Sequence, residues 1–355
     1  MPHIIRTLSA CAILLLGISC TDNPGLETRD SIAAPGEAGR PFPNAPEIAP
    51  IGVRIDKYLD LPDGAKGPGL DPKKGYRTEK LGRDLYMVTD NSYQSMFMVY
   101  ETGVVVVDAP PTYATKLNEA IAEVTKLPIT HIVYSHSHAD HIGGTGSLDL
   151  SHNPVIVAHD ETKMLLARDA DPARPVPTVT FQNTYSLEVG SHVLKLSYHG
   201  NGHEPGNIFI DAPEQETLMV VDVVFPGWMP FRRLAVSQDI PGWLSQVEKI
   251  EKLPFKKLVT GHVTRLGTRE DVKTQIEFDD DLKAVVGEAL KSNAYVDGIN
   301  PADMGNTWAL VDDYTARVAV QCVTTLTRKW KSRLGGFDTF VWDNCYAMEQ
   351  SLRVD

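Results

Sequence analysis

The sequence lacks a basic stripe: its 355 residues carry a net charge of -12, whereas a surface that grips nucleic-acid phosphates needs clustered Lys and Arg. Nucleic acid is therefore excluded as an expected partner, and a small-molecule substrate is expected instead. The N-terminal apolar run, Ala10 to Ile18, is too short for the roughly 20 residues of a membrane-spanning helix, which excludes a retained transmembrane anchor there. No internal repeat occurs, and no low-complexity segment beyond Thr21 to Pro50. Cysteine is sparse, with four in all at positions 11, 20, 322 and 345.

What is present is ordinary globular composition, 42% hydrophobic and 23% charged, with length for one large domain plus an appendage. Arg6, the apolar run and Ser19-Cys20 read together as an export signal over residues 1–19. Leu16-Gly17-Ile18-Ser19-Cys20 resembles the lipobox of bacterial lipoproteins, which implies lipidation of Cys20 after cleavage. Gly17 departs from that pattern, which prefers leucine, so simple cleavage stays open. Thr21, rather than Asp, after the cysteine implies a periplasmic protein anchored at the outer membrane. Cys322 and Cys345 then remain, either as a disulfide formed in an oxidising compartment or as two separate buried thiols.

Residues 20–50 are rich in Pro, Gly, Ala and Glu without apolar periodicity and read as a flexible tether. Residues 51–267 are expected to form the main domain and residues 268–355 a helical extension. Leu85 to Val88, Ser95 to Tyr100, Gly103 to Asp108 and Ile129 to Ser135 read as strands, and Thr115 to Lys126 has helical spacing. Further on, Val155 to Ala158 reads as a strand, Glu161 to Arg168 as a helix, Thr178 to Val224 as strand-rich, Gly242 to Glu251 as a helix and Lys257 to Thr260 as a strand. This alternation argues for an α/β layered domain. Arg269 to Ser292 and Asp312 to Arg333 are the long helices expected at the end, and their apolar spacing reads as packing against the core or as a dimer contact.

His136-Ser137-His138-Ala139-Asp140-His141 places four metal-capable side chains in six residues, directly after an apolar strand. Neutral imidazoles suit Zn²⁺, and a carboxylate adds an oxygen ligand. His136 and His138 lie two apart and can share one ion, whereas Asp140 and His141 open the next helix and can turn towards another. Isolated histidine pairs are more often solvated loop residues; four ligands at this spacing argue otherwise.

His-x-His-x-Asp-His resembles the signature of the metallo-β-lactamase superfamily, whose fold is a four-layer αββα sandwich. His203 stands in a segment similar to the family's Gly-His-x-x-Gly-Asn turn, Asp222 resembles the aspartate that bridges both ions, and His262 resembles the last histidine. The resemblance covers residues 80 to 265 and implies His136, His138 and His203 on the first ion, Asp140, His141 and His262 on the second, and Asp222 between them. Asp108 sits where the family has a buried aspartate near the metals; a plain turn is the alternative. The implied cofactors are two zinc ions, with Fe or Mn as alternatives.

Two cations about 3.5–4 Å apart would bring a shared water to hydroxide near neutral pH, so the expected enzyme is a metal-dependent hydrolase of an ester, lactone, thioester or amide. Asp140 is expected to orient that hydroxide and handle its proton. Zinc β-lactamases generally carry Cys or Ser where Asp222 stands; glyoxalase II, lactonases and phosphodiesterases resemble the chain more closely there. Export favours a periplasmic β-lactamase-type activity as an alternative. Two others are an iron-dependent, persulfide dioxygenase-like enzyme and a non-catalytic binding lipoprotein. Trp228, Phe231, Arg232, Arg233 and Tyr93 are candidates for holding substrate, against a reading as core aromatics beside solvated arginines. His3, His131, His152, His159, His192 and His199 read as structural.

Overall fold

Period-two burial on both faces organises the first half of the chain. In the strand Gly103–Val107 (β4) all five residues are buried. Val105 and Val107 join one apolar cluster, and Val104 and Val106 join another. Met87 against Val88, and Met96 and Met98 against Phe97, repeat that division in Leu85–Thr89 (β2) and Gln94–Tyr100 (β3). A sheet with two apolar faces needs a layer on each side.

The computed structural model describes residues 57–297 and 304–355, and these fall in one compact unit, Asn44–Asp355. The export signal, Cys20 and the tether expected over residues 1–50 lie outside the described residues. The first sheet has seven strands in sequential order: Arg77–Gly82 (β1), β2, β3, β4, Ile129–Val133 (β5), Val155–His159 (β6) and Val179–Phe181 (β7). Its first three pairings are antiparallel and its last three parallel. The second sheet has the order β12-β11-β10-β9-β8, from Thr184–Val189 (β8), His192–Tyr198 (β9), Ile208–Ala212 (β10), Thr217–Val220 (β11) and Lys257–Val259 (β12).

One apolar cluster draws on both sheets, with Val105, Val133 and Val157 meeting Leu194, Leu196, Ile208, Ile210 and Met219. The other joins the far face of the first sheet to Ala114–Val124 (α1) through Leu117, Ala120 and Ile121, and to Asp160–Asp169 (α3) through Leu166. Ile240–Lys252 (α5) lies along the loop end of the second sheet, where Trp243 donates to the Asp222 carbonyl and Lys249 to the His199 carbonyl. The expected α/β sandwich with a helical extension is the fold observed.

The extension holds three long helices rather than the two expected: Arg269–Ser292 (α6), Thr307–Trp330 (α7) and Phe337–Val354 (α8). α8 escapes a sequence reading because it buries Asp338, Asp343, Asn344, Glu349 and Ser351 together with its apolar residues, which blurs the amphipathic stripe. β1 is missed for a related reason, since its burial is mostly partial and only Leu81 is fully enclosed. Cys322 on α7 and Cys345 on α8 form a disulfide, which decides between the two readings of that pair. No helix among the described residues is long and apolar enough to cross a membrane.

Candidate metal centre

Seven side chains converge where the loops of the two sheets meet. The first loop leaves β5 at Val133, and the turn after β4 holds it. Asp108 donates its N–H to the Val133 carbonyl at 3.0 Å and accepts the Ser135 N–H on Oδ1 at 2.8 Å. Its φ of 60° places it in the left-handed region, where Asp is tolerated better than branched residues. Ala139–Ile142 (α2) is a single helical turn that begins after His138, so His138 keeps extended angles while Asp140 and His141 turn with the helix.

The other three ligand candidates each follow a strand of the second sheet. His203 lies in the turn before β10, anchored where Ile208 N–H donates to the Ser135 carbonyl at 2.9 Å. Asp222 follows β11 with a φ of 62°, and its carbonyl accepts the Trp243 indole N–H at 2.9 Å. His262 follows Gly261, whose φ is 81°; a Cβ there would stand 2.5 Å from Val221 Cγ1 and 3.0 Å from His141 Cε1. Glycine is thus required both by backbone angle and by the close approach of a ligand imidazole. Buried Gln94 fixes this loop by accepting the Thr260 N–H and donating to the Val263 and Arg265 carbonyls.

The donor atoms form two groups, His136, His138, His203 and Asp222, and Asp140, His141 and His262, each with its atoms within 4.8 Å of one another. Asp222 reaches both. Its Oδ2 lies 3.1 Å from His203 Nε2 and 3.1 Å from His141 Nε2, and its Oδ1 lies 3.0 Å from His262 Nε2. Asp140 Oδ2 is 3.5 Å from His141 Nε2 and 3.7 Å from His262 Nε2. The side chains of His136 and His141 are fully enclosed, whereas that of Asp140 is 43% exposed, so the centre opens on the Asp140 side.

Burial pushes the His136 imidazole well below its ordinary range, aided by the neighbouring histidines, so it is neutral and has a lone pair to give. Burial also acts to lower His141, but Asp222, Asp140 and Asp108 outweigh it and hold the imidazole up at about 9. Burial would raise Asp222, yet His141, His262 and His203 keep the carboxylate well below its usual range. Burial raises Asp108 to about 6.

Divalent metal fits this donor set. His136 Nε2 is buried without a hydrogen-bond partner, and the His141 and His262 Nε2 atoms lie 3.1 Å apart. Facing lone pairs at that distance need a shared proton or a cation between them. The remaining nitrogens have protein partners on three of the rings: Ser135 Oγ for His136, Glu204 for His138 and the Ser92 carbonyl for His262.

A sequence model of the Metallo-beta-lactamase superfamily matches residues 88–262. The domain that these residues form belongs to that superfamily. The 2,4-dinitroanisole O-demethylase subunit alpha of Nocardioides sp. (strain JS1661) is 25% identical over 234 residues, 65% of this chain and 70% of that protein. Among solved structures, a metallo-beta-lactamase from Pontibacter korlensis is similar in fold, with a TM-score of 0.50 and 18% identity over 57% of this chain and 97% of its own.

Beside this metallo-β-lactamase centre, the five expected substrate-holding residues part company. Tyr93 lies next to it, its ring 4.8 Å from that of His262 and edge-on to His141 at 5.7 Å. Phe231 is 46% exposed. Trp228 instead donates its indole N–H to the Ala65 carbonyl and closes against Gly335, a structural task. Arg232 is committed to Asp343 of α8 at 2.6 Å and lies over the Phe340 ring, so it is a strut in this conformation rather than a free cation. Arg233 is the second residue of a short turn, Arg232–Val236 (α4), in which Arg233, Leu234 and Ala235 all have left-handed angles. Asn344 of α8 holds that turn, accepting the Leu234 N–H and donating to the Pro230 carbonyl.

His3 lies outside the described residues, and the five other described histidines, His131, His152, His159, His192 and His199, lie outside both donor groups. Within the described residues, His159 bonds the Gln182 carbonyl, His192 sits between Asp84 and Glu214, His131 meets Thr130 and His199 meets Ser197. Sequence reasoning passed over Glu204 and Gln94. Glu204 stands in the Gly-His turn itself, and its position beside His203 was the available signal.

Proposed function

We propose that the protein is a metal-dependent hydrolase of a small-molecule ester, lactone, thioester or amide, with two metal ions, zinc first among the candidates. The observation that carries this reading is the Asp222 carboxylate, whose Oδ2 lies 3.1 Å from a histidine of each donor group and whose Oδ1 lies 3.0 Å from a second histidine of the Asp140 group. His136, His138 and His203 would hold one ion, Asp140, His141 and His262 the other, and Asp222 both. When bound, such ions supply Lewis acidity and bring water to hydroxide near neutral pH.

The protein's own groups divide the remaining work. Asp140, on the open side, is placed to accept and return a proton as substrate and product exchange. Tyr93 carries a phenol to the same side; burial first, then the charges of Asp140, Asp222 and Asp90, raise its pKa, so it stays a proton donor. Phe231 offers an apolar surface, and α8 braces the segment behind it, which favours a role for the extension in shaping the substrate cleft. The similarity to a 2,4-dinitroanisole O-demethylase subunit adds nitroaryl methyl ethers to the substrates worth testing. Export, lipid anchorage at Cys20 and pairing through the C-terminal helices complete the reading as proposals.

Metal analysis and a substrate panel test it. Purified protein should hold about two transition-metal ions per chain and hydrolyse at least one of nitrocefin, a homoserine lactone, lactoylglutathione, a bis-phosphoester or 2,4-dinitroanisole. Asp222→Ala should lower the metal content and reduce turnover at least about 100-fold. Fewer than one ion per chain after reconstitution, or an unaffected Asp222→Ala variant, would refute the reading.

A further inference from the structure

Glu204 directly follows His203 and is 5% exposed, a buried carboxylate that no part of the hydrolytic reading uses. Its Oε1 lies 3.1 Å from His138 Nε2. It also accepts the Ser137 N–H at 3.0 Å and the Ser137 hydroxyl at 2.9 Å. Ser137 is held from its other side as well, its carbonyl accepting from Arg174 at 2.8 Å. One carboxylate therefore ties the loop of His136 and His138 to the turn that carries His203.

His138 has particular need of such a restraint. Its side chain is 34% exposed, against 23% for His262, 3% for His203 and none for His136 and His141. Packing fixes the rings of the buried histidines, but an exposed ring keeps rotamer and tautomer freedom unless a partner removes it. With His138 Nε2–H donating to the Glu204 carboxylate, the imidazole lone pair is on Nδ1, and that atom lies 2.9 Å from His203 Nε2, inside the first donor group. Ser135 Oγ and the Ser92 carbonyl do the corresponding service for His136 and His262 as neutral groups. A carboxylate makes a stronger, charge-assisted bond and a more basic imidazole.

We infer that Glu204 is the positioning residue of one metal site, fixing the tautomer and ring direction of His138 so that Nδ1 faces His136, His203 and Asp222. The inference rests on the two-ion reading above. Its test is the affinity of each ion rather than turnover. Apo protein, Glu204→Ala and Glu204→Gln are titrated with Zn²⁺ against a competing chromogenic chelator, and Co²⁺ absorption spectra are recorded alongside.

Glu204→Ala should weaken one ion by about 10–100-fold and change one set of Co²⁺ bands, leaving the other ion within about threefold. Glu204→Gln, whose amide oxygen can still accept the His138 proton, should fall between Ala and wild type. Unchanged affinities in Glu204→Ala would overturn the inference, as would a Gln variant no better than Ala. Should the alanine variant fail to fold, the glutamine variant decides alone: one ion weakened at least about threefold supports the inference, and wild-type affinity overturns it. Wild-type protein that binds no second ion fails the two-ion reading instead, a separate outcome.

Discussion

Reduction of the Cys322–Cys345 bond should destabilise the protein by about 3.4 kcal/mol. The bond joins α7 to α8 across a sequence separation of 23 residues. Chain-entropy reasoning for a loop of that size gives about 11.4 cal/mol/K, which is about 3.4 kcal/mol at 25 °C. For roughly 300 ordered residues the unfolding entropy is about 0.6 kcal/mol/K, so the melting temperature should fall by about 5 °C. Thermal unfolding with and without reductant measures this directly in the wild type. A Cys322→Ala, Cys345→Ala double variant should melt somewhat lower still, because both sulfurs are fully buried and their loss adds a packing deficit. That variant must also be indifferent to reductant. A wild-type shift below about 1 °C, or an equal response to reductant in the double variant, would refute the reasoning. The effect should reach the segment at Arg232 and Leu234, since Cys345 follows Asp343 and Asn344, which hold them.

Gly261→Ala should lower both stability and metal content: the added methyl meets Val221 and His141 at a left-handed φ, a strain of about 1–3 kcal/mol, and elemental analysis with a thermal melt would detect it. Asp279 is buried on α6 with neither oxygen hydrogen-bonded among the described residues, and burial, followed by the charge of Asp280, raises its pKa well above the ordinary value of 3.8. The folded state therefore binds the proton more tightly than the unfolded state, so this group's contribution is fully favourable below about pH 4 and is lost as pH rises towards the folded pKa. Asp279→Asn should remove that slope and be the more stable form at pH 8, because the amide carries no charge to bury; denaturant melts at pH 4 and pH 8 would show it, and parallel slopes in both proteins would contradict it.

Four of the seven metal-ligand candidates lie within the six residues His136 to His141, where spacing alone brings them together, and that is why a linear reading finds them. His203, Asp222 and His262 were legible only through the resemblance to the family's motifs and their order along the chain. The partners of the candidate ligands and their loops were not: Glu204 meets Ser137 and His138 across more than 60 residues, and Gln94 meets Thr260 across 166. No local pattern encodes such contacts, because they arise only when two sheets stack and their loops share one end.

Sequence by itself determined the strand periodicities, the layered class and the cluster of candidate donors at His136 to His141, since these depend on residue chemistry and neighbours along the chain. It left open whether Cys322 and Cys345 pair, whether Trp228 and Arg232 are free to meet a ligand, and which nitrogen of His138 faces inward. Tertiary structure decided those matters. Each turns on the distance and direction between groups far apart in the chain, and hydrogen bonds, ion pairs and disulfides form only where packing fixes both.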